Sequence, residues 1–265
     1  MVFPISGVEA SPLLPVVVGF LIATATTPAG VSGAFLLLPF QFSVLGFTSP
    51  GVTPTNLLFN VISTPGGIAR FRAQGGLDVA LAGRIIAGAI PGVIAGSVLR
   101  VTVLAGPGAF KVFVGVVLGL LGANLLLQAR GRRAAGTRDT YVTRYVVALA
   151  AGAGLIGGIY GISGGSIIAP VLAGVFRLSV HRVAPAALLA TLVTSVAGVI
   201  SFQVLHLLGE PVQPDWALAA LFGLGGAGGG YVGARLNRRA PEAFLRALLG
   251  SLALALAISY LAPAL

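Results

Sequence analysis

Residues 30–39 run Gly30-Val31-Ser32-Gly33-Ala34-Phe35-Leu36-Leu37-Leu38-Pro39, and residues 161–170 run Gly161-Ile162-Ser163-Gly164-Gly165-Ser166-Ile167-Ile168-Ala169-Pro170. The two stretches carry Gly, Ser, Gly and Pro at matching places a constant 131 positions apart. The register holds onward without a gap, since Pro54, Leu57, Leu58, Gly67 and Phe71 recur as Pro185, Leu188, Leu189, Gly198 and Phe202. Farther along, Gly88, Gly92 and Gly96 recur as Gly225, Gly229 and Gly233, and Pro107-Gly108-Ala109-Phe110 recurs as Pro241-Glu242-Ala243-Phe244. The chain therefore reads as a duplicated unit, with a first repeat over 1–128, a basic loop over 129–144 and a second repeat over 145–265.

What surrounds these stretches is apolar. The 265 residues are 57% hydrophobic and only 8% charged, with a mean hydropathy of +1.02, too few charges to cover a water-soluble globule of this size. That composition marks an integral membrane protein and excludes a cytosolic enzyme. Cysteine is absent, which removes disulfide frameworks, thiolate metal sites and thiol nucleophiles. Neither a metal nor a cofactor is expected. The formal charge of +10 comes almost wholly from Arg in loops, where membrane topology calls for it, so nucleic acid is not an expected partner. Residues Met1 to Ser11 lack the Lys or Arg that opens a signal peptide, and the first hydrophobic segment is expected to be retained.

Apolar stretches run over 13–47, 52–69, 79–99, 107–128, 145–176, 183–208, 216–236 and 242–261. The first and fifth are too long for one crossing, because about 20 helical residues span the hydrocarbon core. Both are interrupted, at Thr27-Pro28-Ala29-Gly30 and at Gly157-Gly158-Ile159-Tyr160-Gly161, so each predicts two short half-helices. Loop charge decides how they thread. Eight simple spans would divide the 16 Lys and Arg residues evenly between the two faces. Two hairpins that enter and leave on one side instead leave only Arg100 and Lys111 on one face, with the other 14 of the 16 opposite. The expected architecture is an all-α polytopic membrane protein of two inverted repeats, each a re-entrant or broken-helix hairpin plus three transmembrane helices. Both termini and the loop with Glu210 and Asp215 are then extracytoplasmic.

Each hairpin sets a glycine-rich break and the start of a second half-helix near the membrane midplane. Free N–H groups at a helix start carry partial positive charge, glycine lets a ligand approach the backbone, and serine adds a hydroxyl donor. Two such ends facing each other would bind an anion through Ser32, Gly33, Ser163, Gly164 and Gly165; the competing reading is that these glycines only permit tight helix contacts. Asn56 and Asn60, four apart on one helical face, and Thr191, Thr194 and Ser195 in the other half add polar groups beside the breaks. They would bind substrate oxygens or hydrogen-bond between helices. The ridges Gly88/Gly92/Gly96 and Gly225/Gly229/Gly233 predict close helix packing, and Pro91 a bend. His181, His206, Asp78 and Asp215 fall near loop ends, where water solvates them, and Arg70 and Arg72 are expected to serve topology rather than binding.

The paired Gly-x-Ser-Gly starts, Pro39 and Pro170, and the run Pro54-Thr55-Asn56-Leu57-Leu58-Phe59-Asn60 followed by Thr64-Pro65-Gly66-Gly67 resemble the TauE/SafE sulfite exporter family of permeases, over nearly the whole chain. Where that family usually has a glycine triplet, this chain has Ser32-Gly33-Ala34 and Ser163-Gly164-Gly165. The resemblance implies a transporter, not an enzyme, that moves sulfite, organosulfonates or related small sulfur anions across the prokaryotic cytoplasmic membrane. Its partners would be that anion, the lipid bilayer and a coupling proton or cation. Two other classes compete. Gly161-Ile162-Ser163-Gly164 also looks like the nucleophile motif of rhomboid serine proteases, but the serine occurs twice at equivalent positions and His206 lies beyond the matched region. A passive anion channel would use the same polar groups without alternating access.

Overall fold

The computed structural model describes residues 1–130, 142–174, 176, 178–236 and 241–262. Within them the chain is built from ten α-helices: α1 Leu13–Thr26, α2 Ala34–Ser43, α3 Val52–Ala73, α4 Val79–Thr102, α5 Pro107–Arg130, α6 Val142–Tyr160, α7 Gly164–Gly174, α8 Val180–Leu207, α9 Trp216–Leu236 and α10 Glu242–Leu261. The pairing of Val2 with Glu9 is an isolated bridge. Helices α4, α5, α8 and α9 are long and apolar enough to cross a bilayer. The protein is an all-α polytopic membrane protein. Much of the expected basic loop over 129–144 lies outside the described residues, as do Arg177, Arg238 and Arg239.

Both long apolar stretches are broken, as their length requires. With 14 residues in α1 and 10 in α2, neither reaches across a core of about 30 Å at about 1.5 Å per residue. The first break is a short 3-10 turn over Thr27–Ala29, closed by Gly30 in the left-handed region at φ +72°. The second falls at the far end of the expected interruption, at Gly161. Helix α6 continues through Gly157 and Gly158 to Tyr160, and the chain turns at Gly161 (φ +91°) and Ser163 (φ +72°). Gly157 and Gly158 serve close approach instead: a Cβ on Gly157 would sit 2.8 Å from the Gly164 nitrogen, and one on Gly158 would strike the Val93 carbonyl.

Pro39, inside α2, cannot donate to the Phe35 carbonyl four residues earlier, and the Tyr160 hydroxyl donates to that oxygen instead at 3.0 Å. The carbonyl of Pro39 accepts from the Tyr260 hydroxyl of α10, and that of Pro170 in α7 accepts from the Gln128 amide of α5.

The glycine ridges set the helix directions. On α9, a side chain at Gly225 would collide with the Val16 carbonyl, at Gly229 with that of Phe20 and at Gly233 with that of Thr24, so α1 and α9 run parallel. On α4, Gly88, Gly92 and Gly96 meet the carbonyls of Val147, Ala151 and Leu155 in the same way, making α4 and α6 parallel. Val16, Phe20 and Thr24 are the positions that the offset of 131 carries onto Val147, Ala151 and Leu155, so the same crossing is built twice. Close approach of this kind is what small-residue ridges provide in membranes.

Equivalent helices cross antiparallel. Gly198 of α8 meets Leu57 of α3 while Gly67 of α3 meets Leu188 of α8. On α5 and α10, Gly115 meets Leu261, Gly119 meets Ala257 and Gly122 meets Gly250. Contacts of Ile62 with Gly223 and of Gly66 with Ala227 make α3 parallel to α9, and those of Val93 with Gly198 and of Ser97 with Ser201 make α4 parallel to α8.

These directions sort the bundle into two ends. The first holds residues 1–12, the end of α4, the start of α5, the loop before α9 and the end of α10, and with them Arg100 and Lys111. The second holds Arg70, Arg72, Arg84, Arg130, Arg182, Arg235, Arg246 and the start of α6 with Arg144.

Candidate functional site

The breaks between the half-helices meet each other on the faces of α3 and α8. The Ser32 backbone N–H donates to Ser166 Oγ at 3.0 Å, and that hydroxyl lies 3.0 Å from Thr191 Oγ1 of α8. Asn60 of α3 joins the two breaks, because its Oδ1 accepts from Ser32 Oγ while its Nδ2 donates to the Ile162 carbonyl at 3.2 Å. Ser32 Oγ also accepts from the Ala34 N–H at 3.1 Å, capping the start of α2. The backbones close in as well. Glycine at 161 brings the second break against Thr53 and Asn56 of α3, where a Cβ would lie 2.8 Å from the Thr53 carbonyl and 3.0 Å from Asn56 Cβ. Gly30 rests in the same way on Ala184 of α8, the position that matches Thr53 in the other repeat.

The expected binding residues divide into two groups. Ser32, Asn60 and Thr191 are buried and spend their side-chain hydrogen bonds on holding the breaks together. Asn56, Ser163 and Ser195 are buried too, yet both polar atoms of the Asn56 amide and the hydroxyls of Ser163 and Ser195 have no partner. An unsatisfied buried polar group costs about 1–3 kcal/mol, so Asn56 and Ser163 at the second break are a conspicuous expense, and Ser195, four residues beyond Thr191 on α8, adds to it. Ser163 adds to it by holding φ +72°, a conformation that costs a residue with a side chain about 1–3 kcal/mol.

Glycine at 33, 164 and 165 is required by packing whatever else it does. A Cβ at Gly33 would lie 2.9 Å from Phe59 Cζ, one at Gly164 2.7 Å from Ala89 Cβ, and one at Gly165 2.7 Å from Thr191 Oγ1. Each of these three glycines therefore makes a close contact with a neighbour.

Several polar residues sit elsewhere than expected. Thr194 folds its hydroxyl back onto the Ala190 carbonyl of its own helix at 2.7 Å, rather than bonding across to another helix. Asp215 is buried, not solvated, because it caps α9 through the Leu218 N–H and accepts from both the N–H and the hydroxyl of Ser6. Asp78 caps α4 through the Leu81 N–H and pairs with Arg182 at 2.6 Å across to α8. Burial pushes the Asp78 carboxyl up, but the Leu81 N–H, Arg182 and Arg84 outweigh it and hold the group below its ordinary value. His206 Nδ1 lies 3.2 Å from the Glu210 carbonyl, and Ser163 Oγ has no partner, so Ser163 and His206 form no pair. Arg70 lies over the Tyr231 ring at 5.6 Å, at the second end of the bundle. Sequence reasoning passed over Thr53, Gln41 and Arg100. All three are fully buried, and both polar atoms of the Gln41 amide are unpaired.

A bundle of apolar helices with paired half-helix breaks and free polar groups between them defines a polytopic membrane protein with a buried polar centre. The sequence model of the sulfite exporter TauE/SafE family matches residues 15–260, and the chain belongs to that family. Membership implies a membrane transporter of sulfite or related sulfur anions, and the family is one of transporters rather than of enzymes. No curated protein and no solved structure matches the chain.

Proposed function

We propose that the protein carries sulfite or small organosulfonates across the prokaryotic cytoplasmic membrane by alternating access, with the anion bound at the junction of the two half-helix breaks near the midplane. The observation that carries this reading is that Asn56 and Ser163 are buried and unpaired at the second break, with Ser195 also unpaired four residues beyond Thr191 on α8. They are hydrogen-bonding groups held ready without a protein partner, and a tetrahedral or pyramidal oxyanion takes up N–H and O–H donors. The backbone N–H groups that open α2 and α7 add partial positive charge at the junction.

On the same reading the two repeats are inverted. The antiparallel crossings of α3 on α8 and of α5 on α10 support this, since each pairs a helix with its own repeat equivalent. The crowding of basic residues at the end that holds Arg70 and Arg235 supports a cytoplasmic location for that end, with both termini outside.

The experiment is uptake into proteoliposomes of sulfite, thiosulfate, sulfoacetate, taurine and a carboxylate control, each with and without a proton gradient. Saturable flux of the sulfur anions that the gradient stimulates supports the carrier. Non-saturating flux that only follows the anion gradient would mean a channel, and no sulfur-anion flux at all would overturn the assignment.

A further inference from the structure

Arg100 closes α4 and is fully buried, with 0% of its surface exposed. Its Nε donates to Thr53 Oγ1 at 3.1 Å and its Nη1 to the Leu104 carbonyl, while its Cζ lies 3.8 Å from the centre of the Phe110 ring. Nη2 has no partner, and no carboxylate among the described residues pairs with the guanidinium. The other buried charge at this end, Asp215, is already satisfied by Ser6 and the Leu218 N–H. A full positive charge held in an apolar interior by neutral acceptors alone is strongly unfavourable, and intramembrane cations left in that state mark ligand paths.

Thr53 ties this charge to the junction. Its hydroxyl accepts from Arg100 and donates to the Ile159 carbonyl at 3.1 Å, just before the second break, and its carbonyl packs on Gly161. Arg100 therefore stands two hydrogen bonds from the half-helix turn that carries Ser163. The arrangement exists in one repeat only. The offset of 131 carries Thr53 onto Ala184, and the register that pairs Gly96 with Gly233 carries Arg100 onto Asn237. Neither counterpart brings a charge.

We propose that Arg100, oriented by Thr53, is a second anion subsite on the side of the junction that faces the Arg100 and Lys111 end of the bundle. It takes the oxyanion group of the substrate through the free edge of its guanidinium. A planar fork of N–H donors matches two oxygens of a sulfite or sulfonate group, which a point charge on lysine does not. The subsite gives the two ends of the path unequal affinity for the anion, although the fold beneath them is duplicated. The inference rests on the reading of the chain as a sulfur-anion carrier. Its competitor is a purely structural role, in which Arg100 only caps the C-terminus of α4 through Leu104.

The test is equilibrium binding of radiolabelled sulfite to the purified full-length chain in detergent, with a thermal melt of every variant. Arg100→Gln should weaken sulfite binding about tenfold or more, as loss of a charged hydrogen bond does. It should also reduce the rise in melting temperature that sulfite gives the wild type at the same sulfite concentration. Arg100→Lys should restore only part of the affinity. Thr53→Val should weaken binding with Thr53→Ser restoring it, and this pair decides the matter should Arg100→Gln fail to fold. A lowered melting temperature with wild-type sulfite affinity in Arg100→Gln or Thr53→Val means capping alone and overturns the proposal. An Asn56→Leu, Ser163→Ala double variant separates the two sites. If it loses binding while Arg100→Gln keeps it, the Arg100 subsite falls and the junction stands; the reverse pattern leaves Arg100 as the binding residue and removes the junction.

Discussion

Replacing Gly92 by Ala puts one methyl group into the crossing of α4 on α6. The new Cβ would overlap the Ala151 carbonyl and lie 2.7 Å from the Leu155 nitrogen and 3.0 Å from the Gly154 carbonyl carbon. All three are backbone atoms of a helix, so no rotamer change relieves the clash and the two helices must move apart along the whole ridge. Gly88 and Gly96 on α4 and Gly154 and Gly158 on α6 share that ridge and would lose contact with it. Overpacking of this kind costs about 1–3 kcal/mol, which corresponds to a fall in melting temperature of roughly 2–12 °C for a chain of this size. The same two helices supply the control. Gly83 on α4 and Gly152 on α6 have nothing within 4 Å of a built Cβ, so Ala there should be neutral or gain up to about 1 kcal/mol of helix propensity. Gly229→Ala, the repeat equivalent of Gly92→Ala, should cost as much, and the double variant should show the sum of the two losses, because the crossings are separate. The assay is thermal unfolding of detergent-solubilised protein. Equal melting temperatures for Gly92→Ala and Gly83→Ala would refute the close crossing.

Three further outcomes follow. Asn56→Leu should leave the melting temperature unchanged or raise it, because the amide has no partner to lose, while sulfite uptake falls; a large drop in stability would mean that the amide is bonded after all. The low value of the Asp78 carboxyl makes its stabilising effect full above the unfolded value of about 3.9 and lost as pH falls through the lower folded value. Asp78→Asn should therefore flatten the acid limb of a stability–pH curve below about pH 4, and an unaltered limb would contradict the pairing with Arg182. Single cysteines at Ser11 and Thr137 in this cysteine-free chain should be labelled from opposite faces, Ser11 from outside, and labelling of Ser11 only from the cytoplasm would reverse the proposed orientation.

The repetition at an offset of 131 is legible in the sequence because glycine, serine and proline mark backbone geometry. The same residues foretold the packing ridges, whose glycines meet helix carbonyls on both sides of the bundle. The second break lies at the end of its expected stretch, at Gly161, rather than at its first glycines, for a related reason. Gly157 and Gly158 resemble helix breakers in sequence, but in a tightly packed membrane bundle they make room for a neighbouring helix. Side-chain pairing was less readable. Nothing in the spacing of Asn56 and Asn60 says that one amide would bridge two breaks and the other remain free. Asp215 looked like a solvated loop residue because its partner, Ser6, comes from the far end of the chain. Arg100 counted only as one of two basic residues on the sparse face, since its burial depends on Thr53 and Phe110 from other helices.

The central claim is that the anion sits where the two breaks meet, and the most direct measurement is a crystal structure soaked with selenite, a heavier analogue of sulfite, with the selenium located by anomalous scattering. The account predicts a peak within hydrogen-bonding reach of Asn56 and Ser163, between the starts of α2 and α7. Selenium found only among surface arginines such as Arg235 and Arg246, with the junction empty, would contradict it.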